Sequence, residues 1–121
     1  MTLTTSELNQ FHQQGYVVKP SVYSQADMQP IKDAITEMID TKARELHAAG
    51  ELDNIYAEAS FEARLARIRD EDEDAAKAVM GHIMGKAGGG YNGPAILAML
   101  RHEPLLACIE SIVGPDIIGS S

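Results

Sequence analysis

Residues 81–93 read GHIMGKAGGGYNG, a glycine-rich stretch with a lysine, the kind of sequence that can cradle phosphate on backbone amides. Gly88, Gly90 and Gly93 satisfy G-x-G-x-x-G, and Gly81 to Lys86 has the look of the lysine end of a P-loop. The P-loop places four residues between its first glycine and the Gly-Lys pair, then Ser or Thr for magnesium. Here three residues intervene and Ala87 follows Lys86. The dinucleotide pattern must follow a strand and open a helix. The residues before Gly88 are instead rich in Ala and Met at helical period. The stretch therefore reads as a helix stop and a loop, without a nucleotide.

The other chemistry-bearing side chains are scattered. His12, His47, His82 and His102 are followed two residues later by Gln14, Ala49, Met84 and Pro104, so none forms H-x-D, and no two lie four apart. A mononuclear iron site needs two histidines and a carboxylate converging with open positions, and nothing assembles one locally. Each histidine reads as a surface or packed residue. Cys108, the single cysteine, lies in the apolar segment LLACIESIV and reads as a small buried thiol. Asp70 to Asp74 are five consecutive acids without the alternating ligands and glycine of a calcium loop. They read as a solvated helix N-terminus favoured by the helix dipole. No nucleophile elbow is present. No catalytic, cofactor-binding or metal-binding residue is therefore assigned.

Composition limits the partners. The 121 residues are 45% apolar and 23% charged, in keeping with one small globular domain or a piece of a larger one. Eighteen acids against ten bases give a net charge of −8, which repels a phosphate backbone, so no nucleic acid is expected. The opening MTLTTSELNQ has neither a basic n-region nor an apolar core, and no run of about 18 apolar residues occurs. No membrane is expected, and the setting is read as reducing and cytoplasmic.

The elements that would hold these residues are well punctuated. Thr4 with Glu7 makes a capping box, Leu3 and Leu8 a hydrophobic staple, and Gly15 a left-handed stop, predicting a helix from about Thr5. Tyr16-Val17-Val18, closed by Pro20, reads as a short edge strand. Ser24 with Asp27 starts the longest helix, its inner stripe at Met28, Ile31, Ile35, Met38, Lys42 and Leu46 and its end at Gly50. Pro30 predicts a kink or delayed start. Ser60 caps a helix carrying Phe61, Leu65 and Ile68, and Ala75 to Ala87 continues as another. Helices then start at Pro94 and at Glu103-Pro104, the latter ending at Gly114-Pro115. Asp116-Ile117-Ile118 begins like a strand. The chain is thus mainly α with one or two short strands.

Two segments carry a resemblance. LTTSELNQFHQQGYVVKP, residues 3–20, resembles the opening of the phytanoyl-CoA dioxygenase family, with its Leu-Thr, helical Phe and Gly-Tyr-Val-Val. RHEPLLACIESIVGPDI, residues 101–117, is similar to the family's helix followed by Gly-Pro-Asp, which leads into the first main strands of its barrel.

The resemblance implies an Fe(II)- and 2-oxoglutarate-dependent oxygenase that hydroxylates a small organic substrate on a double-stranded β-helix of jelly-roll, cupin-like form. The family holds iron by H-x-D and a distal His and anchors 2-oxoglutarate by a basic residue beyond them. No position of this sequence matches those, so none is carried over. Residues 1–121 are expected to be a single N-terminal helical segment, the catalytic barrel core absent, inactive alone and completed by the remainder of the enzyme. Its long helix would pack outside the major sheet and Tyr16 to Val18 would extend that sheet's edge. The loop Gly88, Gly89, Gly90, Tyr91 and Asn92 would border the substrate entrance. The alternative is a self-contained acidic helical interaction module without catalysis.

Overall fold

A computed structural model describes residues 2–85 and 91–119 and shows six helices and, among those residues, no strand. They are α1 Thr5–Gln14, α2 Gln25–Ala48, α3 Phe61–Glu71, α4 Glu73–Met84, α5 Pro94–Leu100 and α6 Glu103–Val113. The chain is therefore mainly α. None of these helices is long and apolar enough to cross a membrane. Two compact units divide it, one of Met1–Met28 with Leu97–Ser121 and one of Gln29–Ile96.

In the first unit, α1 begins where its capping chemistry puts it. Thr4 Oγ1 accepts from the Glu7 amide at 3.2 Å while Glu7 Oε2 accepts from the Thr4 amide at 2.7 Å, satisfying two amides that a helix start leaves orphaned. Gly15 ends it with φ +80° and donates to the Phe11 carbonyl at 2.8 Å. Beyond it, Tyr16 to Val18 forms no helix and no strand, which corrects the expected edge strand. Lys19 reaches back to both Glu7 oxygens at 2.9 Å, so an ion pair to α1 ties down the end of this stretch. Asp116 to Ile118 likewise forms no strand, and Ile118 is almost wholly exposed. Among the described residues of this unit, Leu3 and Cys108 are the buried apolar ones, the cysteine as its apolar neighbours require.

In α2 the Ser24–Asp27 box is formed, Asp27 Oδ2 accepting from the Ser24 amide and Ser24 Oγ accepting from that of Asp27. The helix starts at Gln25 and continues through Pro30 without a break, so the expected delayed start does not occur. Within the second unit its buried stripe is Ile31, Ile39, Ala43 and Leu46. Met38 and Lys42 are thus displaced from the expected stripe by their neighbours Ile39 and Ala43. Lys42 must keep its ammonium in water, where it pairs with Glu45 at 2.9 Å. Ala43 has no such demand and is fully buried.

The core of this unit gathers Ile39, Ala43, Leu46 and Leu52 with Ile68, Ala75, Ala76 and Val79. α3 and α4 pack on one another across a single residue, Asp72. Its extended backbone (φ −151°) breaks the helix, its amide donates to the Ile68 carbonyl, and its Oδ1 accepts from the Ala75 amide at 2.8 Å. The acidic run is thereby split: Asp70 and Glu71 close α3, Asp72 caps α4, and Glu73 and Asp74 occupy its first turn, where the helix dipole favours them. Ser60 sits at the N-cap of α3 but caps with its backbone carbonyl alone. α4 stops at Met84 rather than Ala87, because Gly85 takes φ +71°.

Candidate functional site

The most tightly specified polar cluster of the first unit joins the stretch after α1 to the junction of α5 and α6. The Tyr23 ring stacks on that of His102, centroids 4.4 Å apart and planes 19° from parallel. The Tyr23 hydroxyl donates to the Met99 carbonyl at 2.6 Å. His102 Nε2 lies 2.7 Å from the Val22 carbonyl, and since a carbonyl only accepts, Nε2 carries the proton. Asp27 Oδ2 stands 3.9 Å from the same nitrogen. Hydrogen bonds from the Ser24 hydroxyl and amide hold the Asp27 carboxyl below its ordinary range, with His102 adding a smaller pull. Burial, and then the Asp27 charge, pushes the Tyr23 phenol up. His102 is packed, as one of the two readings of each histidine expected. Its partners Val22 and Tyr23 lie about eighty positions away and left no local signal.

In the second unit Arg64, on α3, is the one buried charged residue among those described, at 4% exposure. Its Nε donates to the Ile55 carbonyl at 3.0 Å and one terminal nitrogen to Asp40 Oδ1 at 2.8 Å. Asp40 Oδ2 takes a 2.7 Å bond from Arg44. Hydrogen bonds from Arg44 and then Arg64 hold the Asp40 carboxyl below its usual value. A guanidinium tied on two sides is built to fasten α3 to α2 and to the segment before it, not to meet a ligand. Glu71 does similar work nearby, accepting from the amides of Asp53 and Asn54 and from the Tyr56 hydroxyl. That bond raises the Tyr56 phenol pKa, with burial and the Glu71 charge adding to it. Tyr56 holds a left-handed backbone, φ +52°, which this anchoring sustains.

Of the expected entrance loop, Gly88, Gly89 and Gly90 lie outside the described residues. Tyr91 donates its amide to the Ile83 carbonyl at 3.1 Å, returning the chain to the end of α4. The hydroxyl end of the Tyr91 ring lies over Gly93, where a Cβ would make the ring swing aside. Asn92 follows, exposed and without a side-chain hydrogen bond among the described residues. His47 spends Nδ1 on the Leu52 carbonyl at 2.8 Å, and neither it nor His102 meets a second histidine. Among the described residues, no three of His, Cys, Asp and Glu gather as metal ligands. α3 and α4 enclose one open hollow of about 420 Å³, floored by Leu65, Ala66, Ala76 and Met80.

No protein-family model, no curated protein and no solved structure matches this chain.

Proposed function

We propose that this chain is the N-terminal helical part of a phytanoyl-CoA dioxygenase-like oxygenase, dependent on Fe(II) and 2-oxoglutarate, that hydroxylates a small organic substrate. The observation that carries the reading is the make-up of the first unit. The two segments that resemble the family, residues 3–20 and 101–117, are far apart in sequence and fall in one compact unit. Leu3 from one and Cys108 from the other are its buried apolar residues among those described, and the Tyr23–His102 stack and His102–Val22 bond join the second segment to residues just after the first. That two such distant segments lie in one compact unit is what supports the reading.

The same unit leaves Tyr16, Val18, Leu97, Leu100, Val113 and Ile118 exposed. That number of exposed apolar side chains, with the irregular stretches at Tyr16 and Asp116, suits a surface that packs on further structure. In the proposal that structure is the jelly-roll core, which would continue from Ile117 and carry the substrate pocket.

The donor set of this chain does not fit the family's iron. Among the described residues there is no H-x-D, and His47 and His102 are committed to backbone carbonyls. The proposed role is therefore to brace and cover, with the iron and 2-oxoglutarate held by residues beyond Ser121. When bound, those groups would supply oxygen activation coupled to decarboxylation of the co-substrate.

Thermal unfolding of the 121-residue chain with and without Fe(II) and 2-oxoglutarate tests the assignment of roles. A resident site would raise Tm with the logarithm of the ligand excess over Kd. The proposal expects no shift, and a dose-dependent rise would overturn it. The competing reading, a self-contained acidic helical module without catalysis, is favoured by one observation: Tyr16 to Val18 forms no strand.

A further inference from the structure

We propose that the α3–α4 hollow is a homodimer contact, in which a second copy of this chain packs antiparallel on the first across α3. Glu62, Leu65, Ala66 and Arg69 follow one another at spacings of three, one and three, so they form one stripe of α3. The stripe is apolar in the middle, with an acid at its N-terminal end and a base at its C-terminal end. A two-fold axis through Leu65–Ala66 sets Glu62 of each copy against Arg69 of the other, at a separation along the helix of about 10 Å. A parallel arrangement would set acid on acid. The pattern therefore specifies both the partner and its direction.

The second helix of the hollow repeats the balance, with Glu73 and Lys77 on its rim. The rim thus carries two acids and two bases in a chain of net charge −8. Copies of so acidic a molecule repel over most approaches, and an electroneutral rim is where that repulsion falls away. Two alanines, Ala66 and Ala76, make the floor low, and Met80 stands 39% exposed beside it. A flexible thioether of this kind fits a shallow recess in its twin. Glu62 remains able to bridge: Lys32 takes its Oε1 at 2.8 Å, and the side chain is 67% exposed. A contact this small belongs to the weak class, with a Kd on the order of 10–100 μM.

The test is sedimentation equilibrium of the whole chain across that range, at low and at roughly 0.5 M salt, where screening removes rim attraction. A dimer that weakens with salt is expected. Glu62→Arg or Arg69→Glu alone should raise Kd by about tenfold or more, and the two together should restore it to within about threefold, because the reversed charges face each other again. Circular dichroism checks that helix content is kept. Since Glu62 also holds Lys32, the neutral pair E62Q with R69Q gives a second reading, in which the weakening of the dimer by salt should be lost. A monomer throughout the range, a dimer indifferent to the single reversals, or a double reversal that fails to restore it would each overturn the proposal.

Discussion

Tyr23 and His102, seventy-nine positions apart, stack at 4.4 Å, each fastening its polar tip to a backbone carbonyl of the other's neighbourhood. Two aromatic rings and two hydrogen bonds thus close the first unit. Tyr23→Phe keeps the stack and deletes the bond to Met99, for an expected loss of about 1 kcal/mol. His102→Ala deletes the stack and the bond to Val22, for about 2 kcal/mol. Hydrogen exchange of the α6 amides should record both losses in this unit. Equal effects of the two changes would mean that the stack contributes nothing.

Gly15 ends α1 at φ +80° with no atom near enough to obstruct a Cβ. Gly15→Ala should therefore cost backbone strain alone, about 1 kcal/mol, in urea unfolding. A neutral result would mean that the end of α1 relaxes freely despite the Glu7–Lys19 clamp beyond it.

Asp40 bridges Arg44 and the buried Arg64, and both hold its carboxyl below the ordinary value of 3.8. A depressed folded value gives stability that is complete above 3.8 and is lost as pH falls from there through the lower folded value. Asp40→Asn should lower stability at pH 7 by roughly 2 kcal/mol, since it leaves a buried guanidinium half-compensated at a partly exposed site. It should also flatten the acid limb, as followed by circular dichroism down to about pH 2. An unchanged acid limb would assign that sensitivity to other carboxylates.

The Tyr56 phenol is raised first by its hydrogen bond to Glu71. Its contribution to stability is thus complete below its ordinary value of 10.0 and is lost as pH rises through the folded value. Glu71→Gln should move the tyrosine absorbance titration toward neutral pH. It should also loosen residues 53–56, whose amides at Asp53 and Asn54 share the same carboxylate.

Local chemistry was legible in the sequence and distant pairing was not. The Thr4–Glu7 and Ser24–Asp27 boxes, Gly15, Pro94 and Gly114 punctuate the helices because each acts within a turn of its own position. The strand expected at Tyr16–Val18 failed because β propensity needs a partner, and the described residues supply none. Ile39 and Ala43 replaced Met38 and Lys42 because one periodic stripe fits several registers until the facing helices choose among them. Arg64 with Asp40, and Tyr23 with His102, pair across 24 and 79 positions, a separation that a single sequence does not encode visibly. Of the expected entrance loop, Tyr91 is placed by its bond to Ile83 and its cover of Gly93, neither of which concerns a substrate.

The central claim is that residues 3–20 and 101–117 form the front of an oxygenase whose chemistry lies further along the chain. Its most direct test is Fe(II)-dependent conversion of 2-oxoglutarate to succinate, measured on protein expressed from the reading frame continued past Ser121 and, in parallel, on residues 1–121. The expected result is succinate from the continued chain, lost when the histidine of its H-x-D is changed, and none from residues 1–121. A frame that stops at Ser121, a continuation without H-x-D and a later His, or turnover by residues 1–121 alone would contradict it.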